Sequence, residues 1–322
     1  MNQFCRLLAS TFALLVFGVV AARAQTYPDR PVKIIVPIGP GGSYDLVGRH
    51  LADTLSKRTG QAFFVENKPG AGTVVGTLAA AQSEPDGYTL LVGGLSNIAF
   101  NSALYSNLAY NPLRDFVPVA LVYRFGYVMV GRKDLPQTTL SDVIAAAKAN
   151  PGSITVATAG VGTGQHLVAA AFMKAAGVKF LEVPYKGSPP AFTDLLAGRI
   201  DLFFDSIAAA LPYVQSGQAR GIAVLSSKRS PLAPEVPTMS EAGVPGLDVD
   251  SWLGIFAPAK IPPEIIAKLR GEIRASLPEL KERFEKSGGE VWDLPNDRLG
   301  AFVASEHANW TKLIREAGIK LD

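Results

Sequence analysis

The run Val32-Lys33-Ile34-Ile35-Val36-Pro37-Ile38-Gly39-Pro40-Gly41-Gly42-Ser43-Tyr44-Asp45 decides how the rest of the chain is read. Five β-favouring residues predict a strand. A glycine-rich turn follows. Residues 45–58 then place Leu46, His50, Leu51 and Leu55 on one side of a helix. Working outward, residues 63–65 predict a second strand, 74–82 an alanine-rich helix and 89–92 a third strand. Such alternation predicts a mostly parallel sheet covered by helices.

A second series begins near Phe125. Strands are expected at 127–130, 154–157, 180–183, 202–204 and 221–225. Helices are expected between them at 140–150, 165–176, 191–198 and 208–216. Two amphipathic helices follow at 263–287, with Pro278 as a candidate break, and at 297–317. The expected fold class is α/β with two lobes. Residues 25–124 plus 226–322 form the first lobe and 125–225 the second. Crossovers near 123–130 and 221–227 would make a hinge beside an interlobe cleft, and ligands of such sheets bind beyond the carboxyl ends of the strands.

The first 24 residues read as a secretory leader. Arg6 precedes an apolar run from Leu7 to Ala22, and Ala22-Arg23-Ala24 offers a cleavage site after Ala24. The expected location is therefore the periplasm. The single cysteine, Cys5, lies inside the leader, so the exported chain has no disulfide or thiolate chemistry. Removing Arg6 and Arg23 takes the net charge from +3 to +1, too little for a nucleic-acid partner. With 48% hydrophobic and 18% charged residues among 322, the chain can bury a core and is not of disordered composition. A monomer is expected.

Two loops suit an anion. Gly41 and Gly42 let the backbone approach a ligand, and the helix that follows adds free N–H donors at a positive dipole end. Residues 158–166, Thr158-Ala159-Gly160-Val161-Gly162-Thr163-Gly164-Gln165-His166, take the same place in the second lobe. Either loop alone could be a plain strand-to-helix turn; two, one per lobe, suggest a ligand gripped from both sides. Neither contains Lys or Arg, so a carboxylate would be met by N–H groups and hydroxyls, with Lys186 only ordering its turn.

Asp45 reads as a residue that holds its loop. Asp205, after Phe203-Phe204, is either a partner for a ligand amine, hydroxyl or ordered water, or a helix cap. His166 either touches ligand or shapes the loop. His50 reads as a helix-surface or interlobe residue. No P-loop, nucleophile elbow or paired-histidine metal motif occurs, so no catalytic residue, metal or cofactor is assigned.

Residues 36–49 resemble the first ligand loop of the Bug family, the TctC-like periplasmic solute-binding proteins of tripartite tricarboxylate transporters. Further blocks follow in order: Glu66-Asn67-Lys68-Pro69-Gly70-Ala71-Gly72, Pro85-Asp86-Gly87-Tyr88, residues 159–167, Val183-Pro184-Tyr185-Lys186-Gly187-Ser188, Pro234-Glu235-Val236-Pro237-Thr238 and Trp252-Leu253-Gly254-Ile255-Phe256-Ala257-Pro258. The resemblance covers nearly all of the exported chain. It implies a type II periplasmic-binding-protein fold, a small carboxylate-bearing solute (organic acid, amino acid or aromatic acid) and permease subunits as partners. It places ligand contacts on Ile38, Gly41, Gly42, Ser43, Tyr44, Ser96 and Asn97 in the first lobe, and on Ala159, Gly160, Thr163, His166 and Asp205 in the second. Ile38 stands where Phe is common, Asn97 where His is frequent, Thr158 for a usual Ser and Thr73 for a usual Gly. Tyr44 is bulkier than the common small residue. The remaining alternatives are a ligand-sensing subunit of a signalling system and a secreted hydrolase.

Overall fold

The computed structural model describes residues 27–316 and 319–321. The expected leader, Cys5 and the cleavage point lie outside the described residues. Strand β1 (Val32–Val36) pairs in parallel with β2 (Phe63–Asn67) on one side and β3 (Thr89–Gly94) on the other. Helices α1 (Ser43–Thr59) and α2 (Val74–Ala81) make the crossovers. Side chains alternate along β1. Val32, Ile34 and Val36 pack on Val47, Leu51 and Leu55 of α1, while Ile35 joins Ala80, Leu91 and Phe256 on the opposite face.

The buried face of α1 is turned from the one the spacing suggests: Val47 is buried, and Leu46 and His50 only partly. Gly48 explains the turn. A Cβ there would sit 2.9 Å from Val36 Cγ2, so α1 lies on β1 at its glycine. His50 packs near Phe284, ring centroids 6.0 Å apart.

After β3 a π-helical turn (Leu95–Phe100) runs into α3 (Asn101–Leu104), and α4 (Pro112–Asp115) leads into β4 (Phe116–Arg132). This strand has 17 residues, where the sequence pattern marks only 127–130. Residues 116–126 pair antiparallel with β9 (Asp250–Pro258), and part of that stretch with β10 (Gly289–Val291). Residues 127–132 pair antiparallel with β7 (Leu202–Ser206) and β8 (Ala219–Val224). Strand β9, which the sequence pattern does not mark, fills the gap between β3 and β4. The order is β2-β1-β3-β9-β4-β7-β5-β6, with β5 (Thr155–Thr158) parallel to β6 (Leu181–Pro184) and β7.

In the second half, Val130, Ala157 and Phe203 face Phe192 and Leu195 of α7 (Ser188–Leu196) and Leu211 of α8 (Ile207–Gln215). Met129, Val156 and Phe204 face Val143 of α5 (Leu140–Ala149) and Phe172 of α6 (Gly164–Ala176). Helix α9 (Pro263–Lys286) runs through Pro278 unbroken, because Ile273, Leu277, Leu280 and Phe284 are buried on both sides of it. Helix α10 (Asn296–Glu316) follows. The carboxyl ends of β1, β3, β5 and β7 all open toward helix starts, which gathers the loops of both halves along one cleft.

Strand β4 carries register shifts against β9 between Pro118 and Ala120 and between Leu121 and Tyr123. Gly254 of β9 lies against them. A Cβ there would strike the Ala120 carbonyl and come within 2.6 Å of Leu121 Cδ2. Gly254→Ala is expected to cost about 1–3 kcal/mol through overpacking. Urea unfolding of the variant checks this; stability equal to the parent would show that β4 and β9 are looser than their packing implies.

Candidate functional site

The first loop is held from beneath by Asp45. Its Oδ2 accepts from the Gly41 N–H at 3.0 Å and from Arg49 Nε at 2.8 Å, and its Oδ1 accepts from Asn67 Nδ2 at 2.9 Å. Asn67 Nδ2 also reaches the Ile38 carbonyl at 3.1 Å. Burial works against ionisation, but these hydrogen bonds and the Arg49 charge hold the Asp45 carboxyl below the ordinary range. Asp45 therefore orders the turn. Gly41, at φ +91°, adopts a conformation a side chain would resist. Helix α1 opens at Gly42 with no side-chain cap, so the amides of its first turn have no acceptor of their own.

Beside it, the π-helical turn places Ser96 and Asn97. The Asn97 side chain is fully buried and committed to the loop: Oδ1 accepts from Gly94 N at 2.9 Å, and Nδ2 donates to Thr77 Oγ1 at 3.1 Å and the Val92 carbonyl at 3.3 Å. Ser96 Oγ accepts from Gly164 N at 2.9 Å, a direct hydrogen bond between the two halves. Gly164 has room for nothing larger, since a Cβ would collide with the Tyr127 hydroxyl.

In the second loop, Thr163 caps α6. Its hydroxyl accepts from His166 N at 3.4 Å and donates to the Gly160 carbonyl at 2.7 Å. His166 Nδ1 accepts from Gly162 N at 3.3 Å, while Nε2 lies 3.3 Å from Glu182 Oε2. Both residues thus shape the loop. Helix α8 is capped by the Ser206 hydroxyl, but α7 opens at Gly187 without a side-chain cap, and Pro189 and Pro190 in its first turn carry no N–H. Asp205 is fully buried. Its Oδ1 accepts from Gln165 Nε2 at 2.9 Å and Ser206 N at 2.7 Å. Burial pushes its carboxyl up to about 6, only partly offset by Ser188, Gln165 and Ser206. Ser188 Oγ lies beside the carboxylate.

The halves touch at glycines. A Cβ at Gly41 would lie 2.8 Å from Pro189 Cγ, and one at Gly42 would lie 3.6 Å from Ser188 Oγ. The uncapped starts of α1 and α7 thus face each other. Between the loops lies a cavity of about 470 Å³. It brings together Ile38, Ala159, Gly160 and Thr163 of the sequence-derived set, together with Gly39, Val161 and Lys186. Gly41, Gly42 and Ser43 form the adjoining turn. Tyr44, Ser96, Asn97, His166 and Asp205 are buried outside the cavity wall. Lys186 is the only Lys or Arg in that wall and is exposed. A larger cavity of about 700 Å³ lies along Arg124–Gly126 of β4, but charges in its wall pair with one another, as Arg124 does with Asp250 at 2.9 Å and Lys286 with Glu282 at 2.6 Å. The uncapped starts of α1 and α7 adjoin the first cavity, next to its wall residues Gly39 and Lys186. Among the described residues no side-chain hydroxyl is hydrogen-bonded to a histidine ring.

Ser188 is the site residue that sequence reasoning passed over. Its signal was the Gly187-Ser188-Pro189-Pro190 run, which starts a helix with almost no amide donors.

The sequence profile of the tripartite tricarboxylate transporter family receptor matches residues 47–319. BugT of Bordetella pertussis is 38% identical over 321 residues, covering 98% of each chain. Two solved Rhodopseudomonas palustris proteins are similar throughout. Rpa4515 with adipate is 33% identical with a TM-score of 0.87, over 92% of this chain and 100% of its own. MatC with bound malate is 32% identical with a TM-score of 0.85, over 89% and 100%.

The elevated Asp205 carboxyl has a consequence for stability. A carboxyl raised above its unfolded value stabilises the fold below that unfolded value, near pH 4, and the contribution disappears as pH rises through about 6. Two units correspond to roughly 3 kcal/mol. Against Asp205→Asn, which cannot titrate, the parent should be relatively more stable at pH 4 than at pH 7.5 by that order. Urea unfolding of both proteins across this range reads the difference; a constant difference means Asp205 titrates normally.

Proposed function

The chain belongs to the tripartite tricarboxylate transporter receptor family, and on that premise we propose that it captures a small carboxylate between its two lobes and presents it to membrane permease subunits. Members of this family are periplasmic binding proteins. The observation that carries the proposal is the start of α1, whose first-turn amides no side chain caps, set directly against Ser188 and Pro189 of the second lobe. Free amides at a helix start carry partial positive charge and bind carboxylate without a counter-cation. The relatives solved with adipate and malate support the same ligand class.

In this reading Ile38, Gly41, Gly42, Ser43, Tyr44, Ala159 and Gly160 meet the ligand largely through backbone. Ser96, Asn97, Thr163 and His166 set the loops that present it, and Asp205 lines the second lobe. The lobes are 25–124 with 226–322, and 125–225. They move about the crossovers near 123–130 and 221–227, and closing them brings the second lobe onto a ligand held at the start of α1. The protein binds without turnover.

A thermal and calorimetric screen of mono- and dicarboxylates, amino acids and aromatic acids tests capture. A ligand at about 100 times its Kd should stabilise the protein by roughly 2.7 kcal/mol. The same ligand should shrink the radius of gyration in solution scattering. Silence across all four classes would sink the reading.

The leader is proposed to be removed after Ala24 during export. The mass of the protein recovered from the periplasm should match a chain beginning at Gln25; a mass retaining Arg23 would place the cut elsewhere.

A further inference from the structure

The two lobes are joined through the sheet on one side of the cleft and meet again across its mouth. Most of those meetings belong to the loops around the cavity: Ser96 with Gly164, Gly41 with Pro189, and Gly72, where a Cβ would strike the Val161 carbonyl. One partner comes from elsewhere in the chain. Residues 319–321, beyond α10, return to the first lobe. There Leu321 N donates to the Leu104 carbonyl of α3 at 3.0 Å, and Ile319 N to the Ile314 carbonyl at 3.2 Å. Ile319 and Leu321 are half-buried and pack on the apolar cluster that contains Leu104 and Phe100. From that anchorage the Leu321 side chain reaches the second lobe. A Cβ at Gly162 would lie 2.9 Å from Leu321 Cδ1 and 3.3 Å from the Tyr105 hydroxyl. With no Cβ there, the Leu321 methyl comes within van der Waals reach of the Gly162 backbone.

Both sides of this contact are tied to their own lobes. Leu321 is held at Leu104, and Gly162 by its N–H, which His166 Nδ1 accepts at 3.3 Å. Parting of the lobes as rigid bodies therefore breaks the contact, because neither side can follow the other. Leu321 stands outside the wall of the 470 Å³ cavity, whereas Tyr105 is part of it. The apolar area that Leu321 covers on Gly162 thus stabilises the closed arrangement and leaves the ligand's own contacts as they are.

We propose that Leu321 is a positioning residue for ligand retention: it clasps Gly162 across the mouth of the cleft, raises the closed population and slows release, without touching the ligand. Its part in retention rests on the carboxylate-capture reading above; the clasp itself does not.

Amide hydrogen exchange of the full chain without ligand tests the clasp. The Gly164 N–H is the reporter, because its acceptor, Ser96 Oγ, lies on the other lobe. In Leu321→Ala its exchange should quicken about 3- to 10-fold, the factor expected for part of one leucine side chain, while amides inside β1 and β5 keep their rates. Leu321→Met, which keeps the apolar reach, should restore the parent rate. Gly164 exchange unchanged in Leu321→Ala would overturn the proposal. So would an equal rise inside β1 and β5, which would make Leu321 a residue of the fold alone. Retention is read by stopped-flow mixing with malate and adipate, the acids held by the solved relatives. For whichever binds, dissociation from Leu321→Ala should be faster by the same factor at an unchanged association rate. An unchanged dissociation rate would refute the retention role. Quickened Gly164 exchange in a protein that binds neither these acids nor any acid of the screen above would sink capture, and retention with it, while the clasp stands.

Discussion

Strand β4 is the constraint on which the rest depends. Seventeen residues of extended chain span about 55 Å. Both halves of the molecule pair with it, β9 and β10 along one stretch and β7 and β8 along the other. Its orientation therefore aligns the two halves, and its register shifts at Pro118–Ala120, Leu121–Tyr123 and Met129–Val130 supply the twist that a flat ribbon of this length would lack. With the sheets so aligned, the carboxyl ends of β1 and β3 come to face those of β5 and β7. The cleft follows from strand pairing, and loop sequence then decides what the cleft presents.

What it presents is divided between amides kept for the loop and amides left open. Asp45 consumes the Gly41 N–H, Asn97 the Gly94 N–H, His166 the Gly162 N–H and Ser96 the Gly164 N–H. Helices α6 and α8 are closed by Thr163 and Ser206. The starts of α1 and α7 are not closed. Amides have an advantage over Lys or Arg in such a place. They carry no net charge when the cleft is empty, so closing the lobes does not strand a buried cation.

Much of this was legible in the sequence because it is local. Residues 32–45 show their strand, turn and helix through β-branched runs, glycines and helical spacing, and Asp45 could be read as a loop-holder from its first-turn position alone. The full length of β4 was not legible. Pro118 argues against a central strand, and only the pairing with β9 shows that it falls at a register shift. Strand β9 was not legible because its partners, β3 and β4, are both distant in sequence, so nothing local marks the pairing. Hydroxyl roles are the hardest to read. Thr163 beside a glycine loop suits a ligand contact or a cap equally well, and only its bonds to Gly160 and His166 show it capping. Ser188 had the opposite fate: it looked like turn chemistry and is a buried hydroxyl without a partner.

The consecutive prolines of α7 make the two lobes unequal hosts. Pro189 and Pro190 leave the Ser188 amide as the only donor among the first three residues of that helix, whereas Ser43, Tyr44 and Asp45 all keep theirs in α1. In the proposed capture an acid would find its electrostatic berth on the first lobe, and the second lobe would add little charge stabilisation. Recruitment and commitment would in this way fall to different halves of one polypeptide. The first half would set how readily an anion lands, and the second would complete its enclosure.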